Sequence, residues 1–371
     1  MYFHHLHFYV EDAAIWKDWF VQKLGFQQLH RRETADAIKL IQDGIEIWIS
    51  APEQSDEVKN YLKQHPPGLA DIAFATNRFD EILTQARKQN ALLSTFVLHP
   101  QKHPNSSRQN DSSILSRAAF NRCCQIKGWA HIRHTLIEVD TEWIEQQQLR
   151  QQQMAASGQQ HWLSLIDHAV INVPKGQLQA AVDWYQTLFN LQRGQSFEIN
   201  TAHSGLYSQV LVHPEGTVQI PINEPSSDNS QIQEFLEHNR GAGVQHVALR
   251  SANAVDAIAH FRHQGLNLLS VPHTYYADLQ QRPNCPLKDL SAISQQQLLI
   301  DWHNEGKQGT LLQTFTEPIF AEPTFFFEII ERGQYKESGQ VKTAQGFGEG
   351  NFQALFEAIE RAQVERGSLE Q

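Results

Sequence analysis

The chain has 371 residues, 40% of them hydrophobic and 19% charged, which is the balance of an ordinary globular protein of two or three domains. It contains no uninterrupted run of about 18 apolar residues, so we expect no membrane span. The formal net charge is −11 and no dense stripe of lysine and arginine is present, which argues against nucleic acid as a partner because phosphate binding requires a basic surface.

Neither the N-terminus nor the cysteines indicate export. The first residues, MYFHHLHFYVEDAAIW, lack the basic start, the continuous apolar stretch and the small-residue cleavage site of a signal peptide. The three cysteines, Cys123, Cys124 and Cys285, are odd in number and two are adjacent, so they match neither a disulfide framework nor a zinc-finger pattern. We therefore expect a reducing compartment, most simply the cytoplasm.

The first half begins with a predicted strand at 3–10, FHHLHFYV, whose third residue is His5. A helical pattern follows it, then a strand at 68–76, a second helical pattern and a last strand at 133–140. The polar stretch 99–113 within this half is predicted to be an exposed loop. The order strand, helix, strands therefore occurs twice.

The second half repeats this order. Its strands are IDHAVINV at 166–173, GVQHVALRS at 243–251 and TFFFEIIE at 324–331, and the first two each precede a helical pattern like their counterparts. So long a period indicates a duplicated structural unit. The Gln-rich stretch 145–160 reads as a partly helical linker, which predicts an N-terminal domain over residues 1–150 and a C-terminal domain over residues 151–371.

The C-terminal stretch 346–363 opens with three glycines and then follows a helical pattern, with Asn351 as a plausible N-cap. Phe352, Leu355, Phe356 and Ile359 form one apolar face at helical spacing. This face predicts either a helix packed on the core or a lid over a site, for which the glycines would supply the hinge.

Three predicted strands of the second half carry a polar side chain where a core would place an apolar one: His168, His246 and Glu328. Two imidazoles and one carboxylate are the ligand set of non-haem Fe(II) sites, although Zn or Mn could be held by the same groups. A strand histidine can also be an ordinary core or edge residue, and an arginine partner would equally explain a buried Glu328. The residues alone therefore leave a metal centre and a structural explanation open.

The first half offers His5, Asp71 and Glu138 at the aligned places. A family resemblance of the second half places further polar residues around His168, His246 and Glu328, and these have no match in the first half. We therefore predict that the first half is a non-catalytic domain without a metal.

Six long motifs follow one another in the second half: DHAVINV (167–173), PINEP (221–225), SQIQEFLEHNRGAGVQHVAL (230–249), LLQTFTEP (311–318), FFFEIIER (325–332) and GFGEGNFQALFEAIE (346–360). With these motifs in this order, the chain resembles the 4-hydroxyphenylpyruvate dioxygenases, a family of the vicinal oxygen chelate superfamily. The resemblance is densest from residue 161 to 363. The resemblance implies an α+β fold of two domains, each a duplicated βαβββ module forming an open barrel, with a C-terminal lid helix.

The resemblance also implies roles for individual residues. His168, His246 and Glu328 would bind Fe(II). A polar network would orient the substrate through Ser208, Asn223, Gln231, Gln245 and Gln313. Substrate-binding residues would be Pro221, Phe326, Phe347, Asn351 and Phe352, with the aromatic rings bordering the substrate ring.

The activity implied by the resemblance is oxidative decarboxylation, ring hydroxylation and side-chain migration, which turn 4-hydroxyphenylpyruvate and O2 into homogentisate and CO2. The resemblance further implies a homodimer or homotetramer. The nearest rival function is that of 4-hydroxymandelate synthase, which hydroxylates the benzylic carbon of the same substrate; Pro221 and Phe326 favour the dioxygenase. Extradiol ring cleavage, a glyoxalase-type isomerase using His5 or Glu138, and a metal-free ligand-binding protein are three further functions that the same fold can serve.

Overall fold

The computed structural model describes residues 1–29, 37–96, 122–157, 162–201, 204–215, 217–281, 285–287, 289–302, 309–337 and 339–367. The polar stretch 99–113 lies outside the described residues, so its prediction as a loop stays a prediction. Within the described residues, no helix combines the length and the apolar composition needed to cross a membrane.

The first half contains, in chain order, β1 (Tyr2–Tyr9), α1 (Ala13–Leu24), β2 (Gln27–Gln28), β3 (Ile38–Gln42), β4 (Ile45–Ser50), α2 (Asp56–Gln64), β5 (Gly68–Thr76), α3 (Phe79–Lys88), β6 (Leu93–Phe96), β7 (Cys123–Lys127), β8 (Arg133–Glu138) and α4 (Thr141–Ser157). The second half contains β9 (Leu165–Asn172), α5 (Leu178–Phe189), β10 (Gln192–Asn200), β11 (Gly205–Val212), β12 (Gln219–Pro225), α6 (Gln231–His238), β13 (Gly243–Arg250), α7 (Ala254–His263), α8 (His273–Gln281), α9 (Ser291–Gln295), β14 (Leu299–Trp302), β15 (Thr310–Phe315), β16 (Phe326–Arg332), β17 (Gln334–Glu337), β18 (Gln340–Thr343) and α10 (Glu349–Arg366).

Each half forms one eight-stranded sheet, and the two sheets have the same strand order. The order is β2-β3-β4-β1-β5-β8-β7-β6 in the first and β10-β11-β12-β9-β13-β16-β15-β14 in the second. In each sheet, two βαβββ modules meet where their first strands pair antiparallel, β1 with β5 and β9 with β13. The predicted fold of duplicated βαβββ modules is therefore confirmed.

The duplication extends to the irregularities of the sheets. In the pairing of β9 with β13, Asp167 and Gln245 are extra residues without a partner across the ladder. In the pairing of β1 with β5, the extra residues are His4 and Ala70, which lie at the corresponding places. Side chains of a regular strand alternate between the two faces of the sheet. The extra residue of a bulge interrupts this alternation, so two neighbouring side chains can point to the same face. Both halves therefore have bulges at equivalent positions, where two successive side chains can point to one face of the sheet.

The two halves pack through aromatic rings at the back of β16. The ring of Phe8 lies 5.2 Å from that of Phe325 and 6.1 Å from that of Phe327. Side chains alternate along a strand, so Phe326 and Glu328 point away from this contact, into the second half. The first half thus supports the rear of the strand that carries the predicted carboxylate ligand.

The predicted linker 145–160 begins within α4, which runs on to Ser157. Arg150, the last residue of the proposed N-terminal domain, lies in this helix and pairs with Asp43 at 2.7 Å. We retain the division after residue 150 as a proposal.

Gly44, in the turn after β3, packs directly against the chain that enters β9. Its amide donates to the carbonyl of Ser164 at 3.1 Å, and a Cβ at this position would lie 2.5 Å from that oxygen. The Ser164 oxygen is a backbone atom, so it can move away from an added Cβ only if the chain itself shifts. We expect Gly44→Ala to lower the free energy of unfolding by about 1–3 kcal/mol, the usual cost of overpacking.

Urea denaturation followed by circular dichroism measures this loss. Gly194→Ala is the matched control, because its Cβ would approach the Val212 side chain to 3.2 Å but no backbone atom more closely than 3.7 Å. An equal effect of the two substitutions would contradict the assignment of Gly44 as a site of close backbone approach.

Candidate metal centre

His168, His246 and Glu328 converge because β9, β13 and β16 are neighbours in the second sheet. Ala248 is the register partner of both His168 and Glu328, one on either side, and His246 lies two residues before it on the same strand. Paired residues and residues two apart share one face of a sheet, so all three polar side chains point the same way. The small side chain of Ala248 leaves the space between them free.

The geometry of the three side chains suits a metal ion. His168 Nε2 lies 3.2 Å and His246 Nε2 3.6 Å from Glu328 Oε2. One ligand atom from each residue lies within 4.8 Å of the others, and all three residues are buried. Within the described part of the chain, no other group of His, Cys, Asp or Glu meets this criterion.

The alternative of an arginine partner for Glu328 is not what the structure shows. Arg332, which lies four residues later on the same strand, donates two hydrogen bonds to Asp167 instead. The hydrogen-bond and ion-pair partners of Glu328 are His168, His246 and the amide of Gln313. A buried carboxylate facing two imidazoles fits a cation between them.

Burial and mutual charge interactions shift the pKa values of the three residues. Burial by itself would raise the pKa of Glu328, but the charge and hydrogen bonds of His168 and His246 outweigh burial and lower that pKa to about 2. Burial would lower the pKa of His168, yet Glu328 and Asp167 raise it to about 9. Burial lowers the pKa of His246. His168 and Glu328 therefore each stabilise the charged form of the other.

The ligand set opens into a pocket lined mainly by apolar and aromatic side chains, as small-molecule sites usually are. Eight of the residues predicted to act on the substrate line it: Ser208, Pro221, Asn223, Gln231, Gln245, Phe326, Phe347 and Phe352. Apolar residues that the sequence did not single out complete the wall, among them Val170, Phe197, Leu206, Val210 and Phe315. The pocket thus combines an aromatic wall with a few amide and hydroxyl groups.

The polar residues of the pocket come from separate elements. Ser208 on β11 pairs in register with Asn223 on β12, and Gln231 opens α6. Gln245 and its neighbour His246 both line the pocket because Gln245 is the extra residue of the bulge. Within the described residues, Gln231 Oε1 is buried without a hydrogen-bond partner, which leaves it available to a ligand.

Gln313 and Asn351 lie behind the pocket wall. Gln313 Nε2 donates to Glu328 Oε1 at 2.9 Å and to the carbonyl of Phe347 at 3.0 Å, while its oxygen accepts from Asn351 Nδ2 at 2.7 Å. Asn351 in turn accepts from the Tyr275 hydroxyl at 2.9 Å. Their amides therefore connect Glu328 to the lid helix, whereas the sequence predicted that they face the substrate.

The lid helix α10 begins at Glu349 with Gly348, φ 74°, as its N-cap. The predicted N-cap Asn351 is therefore wrong, because its side chain is occupied by Gln313. The apolar face predicted for this helix does face the pocket, through Phe352, Leu355, Phe356 and Ile359. The helix thus acts as a cover of the pocket, which favours the lid over a helix packed on a closed core.

The C-terminal part of α10 is bonded to the segment before β11 and to α6. Glu360 is buried and accepts hydrogen bonds of 2.6 Å from the hydroxyls of Thr201 and Ser204, which precede β11. Arg366 forms an ion pair of 2.9 Å with Glu234 on α6. These contacts hold the described lid in its closed position.

Glu138 does not occupy the place in the first sheet that Glu328 has in the second. Glu328 lies two residues after the register partner of His246, and the residue two after the partner of Asp71 is Thr135. Glu138 lies three residues further along and pairs with an arginine at 2.6 Å. The sequence alone matched Glu138 with Glu328 because both are glutamates in the last strand. The register between strands, which separates them, is visible only in the structure.

Asp71 and His5, the first-half counterparts of His246 and His168, have their own protein contacts. Asp71 accepts from the amide and the hydroxyl of Thr135, at 2.8 and 2.6 Å, and from Gln125 Nε2 at 2.9 Å. The ring of His5 stacks on that of Trp48 with the centroids 3.8 Å apart. Both carboxylate oxygens of Asp71 are therefore satisfied by protein donors.

Comparisons with known proteins identify what the chain is similar to. Residues 165–283 match the family model described as Glyoxalase/Bleomycin resistance protein/Dioxygenase superfamily. An uncharacterised protein of Synechocystis sp. is 34% identical over 367 residues, which cover 97% of both chains. The 4-hydroxyphenylpyruvate dioxygenase of Dictyostelium discoideum is 31% identical over 392 residues, covering 99% of both. A triple mutant of 4-hydroxymandelate synthase from Streptomyces coelicolor shares the fold, with a TM-score of 0.77 at 22% identity over 98% of both chains.

Proposed function

This chain belongs to the 4-hydroxyphenylpyruvate dioxygenase family of the vicinal oxygen chelate superfamily, and we propose that it converts 4-hydroxyphenylpyruvate and O2 to homogentisate and CO2. In this proposal His168, His246 and Glu328 hold Fe(II). Bound Fe(II) supplies Lewis acidity toward an α-keto carboxylate and the redox capacity to activate dioxygen.

One observation carries the choice of an α-keto acid. Among the described residues that line the pocket, none is lysine or arginine, so no side chain of permanent positive charge is available to a substrate carboxylate. A buried carboxylate without a counter-charge is strongly unfavourable. The ligand set His168, His246 and Glu328 is the one place in this wall where a bound cation would meet the carboxylate. An acid that chelates the metal therefore fits this pocket better than one held by a basic side chain.

The aromatic ring of the substrate would occupy the apolar part of the pocket. Phe326 and His246 stack with their centroids 4.8 Å apart, and the ring of Phe347 lies edge-on to His168 at 5.0 Å. These rings are therefore held against the ligands, where an aromatic substrate would contact them. Gln231 Oε1, which is buried without a partner among the described residues, would accept a hydrogen bond from a substrate hydroxyl.

The lid helix would exclude water from this reaction. Phe352 and Phe356 cover the pocket from α10, and the closed lid leaves the substrate among apolar side chains. The reaction balances without an external reductant, because decarboxylation of the keto acid supplies two electrons. One atom of O2 enters the new carboxylate and the other enters the ring.

Phe326 would direct hydroxylation to the ring, which separates this proposal from hydroxylation of the benzylic carbon. We expect Phe326→Ile to lower kcat/KM by about tenfold, the worth of a lost aromatic contact, and to yield 4-hydroxymandelate beside homogentisate. Product ratios measured by NMR test this expectation. Homogentisate as the sole product of the variant would contradict the role of Phe326.

Product identification tests the proposed activity itself. The protein is loaded with Fe(II) under nitrogen, mixed with 4-hydroxyphenylpyruvate and exposed to oxygen, and the product is identified by NMR because homogentisate and 4-hydroxymandelate have equal mass. Homogentisate supports the proposal. 4-Hydroxymandelate would replace it with the synthase activity, and no oxygen uptake with iron bound would favour extradiol cleavage or ligand binding.

A cytoplasmic location and a homodimeric or homotetrameric assembly stay predictions from the sequence. Light scattering after size-exclusion chromatography measures the assembly directly. A monomer at micromolar concentration would overturn that part of the prediction.

A further inference from the structure

Asp167 is a buried carboxylate next to the ligand set, with hydrogen bonds to His168, Arg250 and Arg332. It is the bulge residue directly before His168, and its Oδ1 lies 3.0 Å from His168 Nδ1. Arg332 donates to both of its oxygens, at 2.7 and 2.8 Å, and Arg250 donates to Oδ2 at 2.5 and 2.9 Å. The carboxylate therefore accepts from the ring nitrogen of His168 that faces away from Glu328, which fixes the orientation of the imidazole.

Arg332 extends this contact to the segment in front of the lid helix. Its third nitrogen, Nη1, donates to the carbonyls of Ala344 at 3.1 Å and Gly346 at 2.8 Å. Gly346 has φ 87°, a conformation that glycine adopts readily. We call residues 344–348 the lid hinge. The guanidinium thus joins the carboxylate behind a ligand to the lid hinge through one buried side chain.

A second side chain makes a parallel connection. Gln313 donates to Glu328 and to the carbonyl of Phe347 within the lid hinge. Two of the three ligands are therefore linked to the same short segment, His168 through Asp167 and Arg332, and Glu328 through Gln313. A guanidinium has a rigid fork of donors, so Arg332 can serve both partners only in one arrangement.

We propose that Arg332 is a positioning residue that couples the ligand His168 to the lid hinge, so that metal binding and lid closure stabilise each other. The inference rests on the proposed metal centre but not on the identity of the substrate. A coupling of this kind is reciprocal: a metal that orders the lid hinge is itself bound more tightly when the lid is closed.

The experiment measures hydrogen exchange of the peptide that contains residues 344–352 in the full chain, with and without Co(II). Co(II) binding is followed separately by its visible absorption. In the wild-type protein we expect saturating Co(II) to slow exchange of this peptide by between about 5- and 150-fold. We expect Arg332→Gln to weaken Co(II) binding by about 10- to 100-fold and to remove the protection even at saturating Co(II).

Arg250→Gln is the matched control, because Arg250 contacts the same carboxylate but makes no hydrogen bond to the lid hinge among the described residues. We expect this variant to keep the Co(II)-dependent protection. Arg332→Lys keeps the buried charge and replaces Arg332→Gln if the latter does not fold; it should lose the protection as well, since one ammonium cannot replace the fork.

The outcomes separate this inference from the proposed function. Failure of the wild-type protein to bind Co(II) would overturn the metal centre and the coupling together. Co(II) binding without protection of residues 344–352, or protection that survives in a folded Arg332 variant, would overturn the coupling and leave the metal centre standing.

Discussion

Replacing Glu328 with glutamine is expected to lower oxygen-dependent turnover by at least about 10³-fold, equivalent to about 4 kcal/mol of barrier. Glu328 is the single carboxylate of the ligand set and lies within 3.6 Å of both histidine ligand atoms. Glutamine has nearly the same shape but no charge, so the site would lose the anion that balances a divalent ion. Oxygen-electrode assays with Fe(II) and 4-hydroxyphenylpyruvate measure the turnover.

Metal binding by the same variant is measured without catalysis. A ligand present at about 100 times its Kd stabilises the folded protein by about 2.7 kcal/mol, so the wild-type Tm should rise when Co(II) is added. We expect Glu328→Gln to lose this rise. Glu331→Gln is the matched control: Glu331 lies on the same strand, and its carboxylate accepts from the amide of Ala254 at 2.7 Å. A normal rise in Tm for Glu328→Gln would contradict the metal-ligand assignment.

Gly348→Ala is expected to lower turnover by about 10²-fold, the scale of a misplacement of about 1 Å in an active site. A Cβ at Gly348 would overlap Gln313 Oε1. That oxygen is not free to move, because it accepts from Asn351 and the same amide group donates to Glu328. The added methyl group must therefore displace the start of the lid helix or the amide behind the carboxylate ligand. Steady-state kinetics with 4-hydroxyphenylpyruvate measure the loss.

Gly367→Ala is the control that distinguishes the steric overlap with Gln313 from the conformational strain of alanine at positive φ. Gly367 ends the same helix with φ 76°, close to the 74° of Gly348, and its Cβ would meet nothing within 4 Å. Both variants bear the cost of a non-glycine residue at positive φ, but we expect turnover to fall only in Gly348→Ala. Equal turnover in the two variants would show that the contact with Gln313 does not matter to catalysis.

The elements of the fold could be predicted closely from local patterns. The predicted strand 68–76 is observed as Gly68–Thr76, and the predicted strand 243–251 as Gly243–Arg250. Apolar periodicity and β-branched content act within a few residues, so one chain suffices to recognise them. The internal repeat then predicted that the two halves share one topology, which their strand orders confirm.

The ligand candidates were recognisable because a polar residue within an apolar strand needs a partner. His168 and Glu328 stand out on this ground alone, but their meeting over Ala248 depends on strands far apart in sequence. Gln245 shows the limit most clearly. Strict alternation would place it on the face opposite to His246, and only the bulge brings both into the pocket.

Other features had weak local signals. Phe356 was already part of the predicted apolar face of the lid helix, but nothing in the sequence distinguished a face toward a pocket from one toward a core. Asp167 was visible as an acidic neighbour of His168, yet its partner Arg332 lies 165 residues later. The N-cap at Asn351 was the reasonable local choice, and the tertiary contact with Gln313 replaced it.

The sequence by itself therefore determined the duplicated modules, the apolar face of the lid helix and the three candidate ligands, because periodicity and misplaced polar residues are local properties. Only the tertiary structure decided which ligands share one face, which acidic residue has no equivalent in the other half, and which side chains connect the lid hinge to the ligands. These depend on strand register and bulges, and register is set by packing between segments that are distant along the chain.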